Sequence, residues 1–246
     1  MTARQRAAVA TLVKPKPAVV YQPVPNLWPG ETCVILASGP SLCAEDADYC
    51  RGKARVLAVN DAVRLAPWAD ALWATDGKWW NHHQGVPSFT GLKFGLTVDP
   101  VKWPDVHRLR NAGEHGLERD PTGVRTGKNS GYASINLAVH LGVSRILLLG
   151  YDMGHAPKQP SHFWGEHPPS LRNNSPYHIF LQMFPTLVEP LKALGITVIN
   201  CTRGGKLECF PRLPLSEALP FYSGGPPLSD DDREIAAAFH VPEFQP

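Results

Sequence analysis

The stretch from Cys33 to Leu42, CVILASGPSL, decides the expected fold because an apolar run leads directly into a short loop of small residues. The continuous apolar half is typical of a buried strand. In the loop, Gly39 lets the backbone come close to a ligand and Pro40 restricts the corner. Ser38 and Ser41 add hydroxyl groups. Beside a helix N-terminus such a loop favours an anion, for example a phosphate, although an ordinary Gly-Pro-Ser turn has the same sequence.

Composition predicts a globular chain. The 246 residues are 43% hydrophobic and 19% charged, which is enough to bury one large core. The 24 basic and 22 acidic residues nearly balance, so no broad positive field points to nucleic-acid binding. No apolar run approaches the roughly 20 residues of a membrane-spanning helix. Five cysteines without a CxxC spacing favour reduced thiols and a cytoplasmic location.

The prolines suggest where the folded domain begins and ends. The chain has 25 of them, partly concentrated near its two ends. We therefore expect an extended N-terminal arm over residues 1–30 and a proline-rich C-terminal arm over residues 213–246. A single transferase domain is expected over residues 31–212. The arms could clasp a second copy of the chain in a homo-oligomer.

Between the arms, strand and helix patterns alternate, which predicts an α/β fold with one Rossmann-like domain and a mainly parallel sheet. The stretch 99–124 has no clear period and is expected to be irregular. A helix is predicted from Gly131 to Leu141, and another over about Tyr177 to Leu194 that Pro185 and Pro190 should kink or divide. The expected strands are Thr32 to Ala37, Arg55 to Val59, Ala71 to Ala74, Lys93 to Thr97, Arg145 to Leu149 and Thr197 to Asn200.

Polar residues follow the expected strands, at the sheet edge where ligands of open α/β sheets bind. Asn60 and Asp61 are placed to bind a base or a ribose, and Asp61 would equally serve as a helix N-cap. Asp76 could hold a divalent cation or a sugar hydroxyl while Lys78 meets a phosphate. A Thr-Asp-Gly turn gives Asp76 a simpler structural explanation. Asp152 follows the most apolar strand.

A second loop of small polar residues, TGKNSG over residues 126–131, leads into the predicted helix. Ser130 and Gly131 would then offer backbone N–H groups to an anion. The spacing G-x-x-x-x-G-K-[ST] is absent, so a Walker-type phosphate loop is disfavoured.

Three histidines are candidates for a general base, because an imidazole can take a proton near neutral pH. His162 and His167 lie in the segment SHFWGEHPP over residues 161–169, and His178 follows shortly after. Their spacing does not favour a zinc site. Each of them could also be an ordinary hydrogen-bonded loop residue.

The order of four short motifs resembles a known superfamily. It joins the bacterial sialyltransferases of glycosyltransferase family 42 with proteins related to 6-hydroxymethylpterin diphosphokinase. The HFWGEHP segment looks like a phage-encoded subgroup, and the resemblance spans about residues 32 to 210. The motifs are Gly39 to Leu42, Val59 to Asp61, Asn129 to Gly131 and Ile146 to Asp152.

The resemblance implies a nucleotide-sugar donor, CMP- or UDP-linked, and a histidine base, for which His162 and His178 both stay open. In the diphosphokinase branch, ATP and a magnesium ion held by Asp76 and Asp152 would replace that donor. Magnesium is not required under the sialyltransferase interpretation. By position, the donor would contact Gly39, Pro40, Ser41, Asn60, Ser130 and Gly131.

The sequence therefore predicts a nucleotide-dependent transferase, most simply a glycosyltransferase that moves a sugar onto a hydroxyl. The acceptor could be a glycan, a modified DNA base or a small metabolite. One alternative is a magnesium-dependent pyrophosphokinase acting on a small hydroxymethyl compound. Another is a non-catalytic nucleotide-binding protein.

Overall fold

The computed structural model describes residues 20–154, 160–171 and 175–219. Within these residues, seven parallel strands form one sheet in the order β5-β4-β3-β2-β1-β8-β9, and two short strands, β6 and β7, pair separately. The strands are β1 Thr32–Leu36, β2 Arg55–Val59, β3 Ala71–Ala74, β4 Leu92–Gly95, β5 His107–Arg108, β6 Arg110–Asn111, β7 Gly123–Val124, β8 Arg145–Leu149 and β9 Thr197–Asn200.

The central strand β1 is also where the strand order reverses. From β1 the chain adds β2 to β5 on one side, and later places β8 and β9 on the other. Ile35 thus lies between Leu57 of β2 and Leu148 of β8. In open α/β sheets a crevice forms at the carboxyl ends of the strands that flank such a reversal. Here that place is the end of β1 and β8.

Helices cover both faces of the sheet, which explains why its central strands are continuously apolar. One face packs under Trp28, Tyr132 and Phe184, and the other under Trp79 and Trp80. The helices are α1 Ala44–Cys50, α2 Gly77–His82, α3 Ser130–His140, α4 Tyr177–Met183, α5 Val188–Ala193 and α6 Leu215–Ala218, with 3₁₀ turns at Asn60–Arg64 and Phe184–Leu187.

The predicted α/β class with a parallel sheet is confirmed, and most strand limits lie within two residues of the expected ones. The expectation that residues 99–124 are irregular is wrong in part, because β5 extends the main sheet and β6 pairs with β7. Pro185 does divide the long helix. Pro190 does not interrupt α5, because it lies in the first turn, where its missing N–H has no intrahelical partner to lose.

The described part of the N-terminal arm packs against the domain. Val24 and Trp28 are buried, and the Trp28 amide donates to the Leu141 carbonyl at 2.7 Å. At the other end, Ala218 and Leu219 are buried as well. The rest of both arms lies outside the described residues, so the domain limits stay predictions.

No helix in the described ranges combines the length and apolar character that crossing a membrane requires.

A buried ion network fixes the amino end of the sheet. The Arg55 guanidinium donates to both Glu31 oxygens, at 2.9 and 3.1 Å, and to Asp70 at 3.3 Å. The second Asp70 oxygen accepts from the Val56 amide at 2.7 Å, so Asp70 also satisfies the backbone of β2. The Arg55 side chain is only 7% exposed, which makes these partners necessary.

We expect Asp70→Ala to lower the free energy of unfolding by about 3 kcal/mol, because it leaves a buried guanidinium and a backbone N–H short of partners. Urea denaturation measures this loss. The matched control is Arg110→Ala, which breaks the half-exposed pair with Asp120 and should cost far less. Equal losses in the two variants would contradict a special role for the buried network.

Candidate functional site

A cavity of about 490 Å³ lies where β1 and β8 end, and we call it the switch-point cavity. Loops after β1, β2, β3 and β8 line it, together with the first turn of α3, residues 161–171 and the start of α4. The volume is typical of a small-molecule site. Ten of the fourteen residues predicted for the site line this cavity: Ser38, Gly39, Pro40, Asn60, Asp76, Ser130, Gly131, Asp152, His162 and His167.

The loop after β1 is bound to the loop after β8. The two Asp152 oxygens accept from the Ser41 amide at 3.2 Å and from the Ser41 hydroxyl at 2.9 Å. The Gly39 amide donates to the Gly150 carbonyl at 2.9 Å. A Cβ at Gly39 would overlap both Asp152 and the Gly150 carbonyl, so glycine is required by the protein itself. The sequence assigned the close approach at Gly39 to a ligand, whereas the groups that approach it are Asp152 and the Gly150 carbonyl of the protein.

The Asp152 carboxylate consequently occupies the position beside the loop after β1 where the sequence predicted a bound anion. Burial raises the pKa of its carboxyl group, and the two hydrogen bonds from Ser41 act in the opposite direction. Ser41 does not line the cavity. Its amide and hydroxyl already donate to this internal carboxylate, so they are not free for a phosphate.

Asn60 and Asp61 are adjacent in sequence but reach different environments. Asn60 lines the cavity and has a left-handed backbone with φ of 51°. Asp61 is 1% exposed, accepts from the Trp79 indole N–H at 2.9 Å and forms an ion pair with Arg64 at 2.6 Å. Asp61 is therefore neither a cavity residue nor the helix N-cap that the sequence suggested, since the 3₁₀ turn has no side-chain cap.

Asp76 has the structural role that its turn sequence suggested. Its Oδ1 accepts from the Lys78 amide at 2.8 Å and so caps α2, while the side chain also lines the cavity. Lys78 is exposed and lies outside the lining. Among the residues that the structure describes, no three His, Cys, Asp or Glu side chains are grouped to hold a metal ion.

The second predicted anion loop remains available. Asn129 caps α3 by accepting from the Tyr132 amide at 2.8 Å. The first turn of a helix leaves N–H groups without intrahelical acceptors, and here Ser130 and Gly131 line the cavity. The Ser130 hydroxyl is 2.7 Å from that of Thr75, which fixes the helix start against the loop after β3.

Lys128 was missed as a site residue by sequence reasoning. It lines the cavity, has φ of 62°, and places its Nζ 3.4 Å from Glu114 Oε2. Met153, with φ of 50°, also lines the cavity, as does the similarly strained Asn60. Non-glycine residues in this backbone region cluster at functional sites. The sequence signal that could have identified Lys128 is its position directly before Asn129, the N-cap of α3, and this position by itself is weak evidence for a site residue.

Two of the three candidate histidines reach the cavity. His162 Nδ1 lies 3.2 Å from the Ser38 carbonyl oxygen, which can only accept, so Nδ1 carries the proton and Nε2 is the basic nitrogen. Burial first, and then His167, lower the pKa of His162. Burial also lowers the pKa of His167, whose Nδ1 has no hydrogen-bond partner among the described residues. His178 is exposed on α4 and lies outside the lining.

Burial therefore favours the neutral form of both cavity histidines by lowering the pKa of each, and the neutral form is the one that a general base needs. Trp79, Tyr177 and Phe180 add aromatic side chains to the lining. A helix start with open N–H groups, a basic imidazole nitrogen and aromatic lining side chains have the chemistry to hold a nucleotide derivative and to remove a proton beside it.

We expect Gly39→Ala to destabilise the protein by about 2 to 3 kcal/mol, since the new methyl group meets a backbone carbonyl that cannot turn away. Thermal and urea unfolding measure this change. The control is Gly52→Asn, at φ of 70° with open space around it, which should cost about 1 kcal/mol or less. An unchanged stability for Gly39→Ala would show that the two loops lie farther apart than described.

Comparison with known proteins supports the fold. No family model and no curated protein matches the chain. Its structure is similar to that of the MAf glycosyltransferase from Magnetospirillum magneticum AMB-1, with a TM-score of 0.54 and 14% sequence identity. The match covers 89% of this chain but 38% of that one. The chain thus has the fold of part of a glycosyltransferase, and these comparisons give no support to the narrower resemblance to family 42 or to phage proteins.

Proposed function

We propose that the chain is a nucleotide-sugar-dependent glycosyltransferase whose site is the switch-point cavity. The observation that carries this proposal is that one cavity, at the strand-order reversal, combines the start of α3 with a neutral, oriented His162. The fold shared with a glycosyltransferase agrees with it.

Under this proposal the donor phosphate binds at α3 and not at the loop after β1. Asp152 already occupies the donors of Ser41, and its negative charge would repel a second anion there. Ser130 and Gly131 offer amides, and Lys128 is the one Lys or Arg among the described lining residues. The Asn60 amide and the Trp79 ring would contact the base or the ribose.

His162 is the proposed general base. Its Nε2 takes the proton of the acceptor hydroxyl as the acceptor oxygen bonds to the anomeric carbon. The bond from that carbon to the donor phosphate breaks, and the phosphate oxygen keeps the electron pair. Lys128 and the α3 amides stabilise that developing charge. The acceptor class stays open among a glycan, a modified DNA base and a small metabolite.

The first test is a thermal-shift panel of CMP, CDP, UDP, GDP, ADP and ATP, with and without magnesium, followed by release of nucleotide from CMP- or UDP-sugars. A ligand at 100 times its Kd should stabilise the protein by about 2.7 kcal/mol. We expect a pyrimidine nucleotide to bind without magnesium. His162→Asn should keep that shift and lower turnover about 100-fold or more.

The other outcomes separate the alternatives. ATP binding with magnesium and AMP as product would replace the proposal by pyrophosphoryl transfer. Binding without turnover, unaffected by His162→Asn, would indicate a binding protein. A loss of turnover confined to His178→Asn would move the base to α4. No shift with any nucleotide would overturn the nucleotide site.

Lys128 gives a second prediction. Its pair with Glu114 is 44% and 46% exposed, so exchanging this partner for a phosphate costs little. We expect Lys128→Gln to raise the nucleotide Kd about tenfold and to weaken its salt dependence. Calorimetric titration at two salt concentrations measures both changes.

The matched variant is Glu114→Gln, which frees the lysine and removes a competing carboxylate. It should lower the Kd by about two- to fivefold. Equal affinities for the wild type and Lys128→Gln would remove Lys128 from the phosphate site.

A further inference from the structure

A series of side-chain contacts connects the buried Asp61 to His162 in the cavity. Asp61 pairs with Arg64 at 2.6 Å. The Arg64 guanidinium lies 5.3 Å from the centre of the Trp164 ring. Trp164 in turn stacks on His162, with ring centres 4.5 Å apart and planes within 5° of parallel.

Each contact restricts the next group. Asp61 is 1% exposed and is also held by the Trp79 indole, so it is a fixed anchor. Arg64 is 48% exposed, and its ion pair determines where its guanidinium lies. A guanidinium at this distance from an indole is a favourable cation–π contact. The parallel stack then fixes the plane of the His162 ring.

The surrounding backbone does not fix this ring. The segment 161–167 belongs to no helix or strand longer than a single bridge between His162 and Gly165. Among the described residues, the Phe163 amide donates to the Ser38 carbonyl over a long 3.4 Å, which gives the segment a weak backbone link to the end of β1. The same carbonyl accepts a hydrogen bond from His162 Nδ1. One hydrogen bond leaves the ring free to rotate about it. Two rings restrict this rotation: the His167 ring lies 4.4 Å away but is tilted by 60°, whereas only the parallel Trp164 ring matches the plane of the imidazole.

We propose that Trp164 and Arg64 are positioning residues for His162, and that Asp61 is their buried anchor. This inference rests on the proposed function, in which His162 is the base. The contacts themselves can be tested without any substrate. Trp164 would hold the imidazole plane so that Nε2 meets the acceptor hydroxyl, and would keep water from one face of the ring.

The charged and titratable groups around His162 act in both directions. His167 disfavours the imidazolium, while Glu166 and Asp61 favour it, as does the hydrogen bond that the ring donates to the Ser38 carbonyl. Burial is the largest effect and lowers the pKa of His162 below its ordinary value of 6.5. The imidazole therefore stays neutral as the pH falls to 6.5, and the acid limb of a pH–rate profile should lie below that value.

The experiment is histidine-labelled NMR of the full chain, with the His162 signals assigned by loss in His162→Asn. In the wild type we expect upfield ring-current shifts from Trp164 and a pKa below 6.5. Trp164→Leu should remove those shifts and raise the pKa of His162 towards 6.5. Trp164→Phe should retain part of both effects, and Arg64→Gln should loosen the stack.

The matched control is Trp68→Leu. Trp68 has Arg51 at the same 5.3 Å distance but lies outside the cavity lining. The Trp68→Leu variant should leave the His162 signals unchanged. Wild-type His162 signals without a ring-current shift, or unchanged in Trp164→Leu, would overturn the inference.

Kinetics supply the second readout. Trp164→Leu should lower kcat about 10- to 100-fold and move the acid limb up towards pH 6.5, with the nucleotide Kd within about twofold. A parallel loss of nucleotide affinity would indicate a merely structural role and overturn the inference. If no nucleotide-sugar is turned over, the proposed function fails, yet the NMR result still decides whether Trp164 holds His162.

Discussion

The carboxylate of Asp152 joins the loops after β1 and β8 where the strand order reverses, and the geometry of the cavity depends on this contact. Both of its oxygens accept from Ser41, and Gly39 is the residue that lets the two loops approach so closely. Because an internal anion fills this loop, the two anion-binding loops suggested by the sequence are not equivalent. The start of α3, with Lys128 beside it, is the one left open.

Burial determines the proton chemistry available in the cavity. His162 and His167 each have a lowered pKa because desolvation disfavours the imidazolium. Glu166 and Asp61 partly offset that cost at His162. A base in this setting can accept a proton during a reaction and does not retain it at neutral pH. Under our proposal, this property lets His162 return to its neutral form in every catalytic cycle.

The fold was largely predictable, because continuous apolar runs such as Ile146–Leu149 identify central strands and parallel strands bring their polar ends to one edge. Six of the ten predicted residues that line the cavity follow strands and meet there for this reason: Ser38, Gly39, Pro40, Asn60, Asp76 and Asp152. The roles of individual side chains were not predictable. Ser41 and Asp152 are 111 positions apart, and nothing local indicates that they bind each other. Lys128 depends likewise on the path of a loop whose backbone conformation is unusual for lysine.

Asn60 and Asp61 show how one strand end can serve two purposes. The left-handed backbone at Asn60 leaves this residue in the cavity wall, while Asp61 is buried against Trp79 and Arg64. Through Arg64 the end of β2 reaches Trp164, and through Ser38 the end of β1 reaches His162. Two rigid strand ends thus hold a segment that has almost no secondary structure of its own. Under our proposal, contacts from the sheet determine the position of the His162 imidazole. The loop needs only to supply the imidazole and the Trp164 ring that stacks on it.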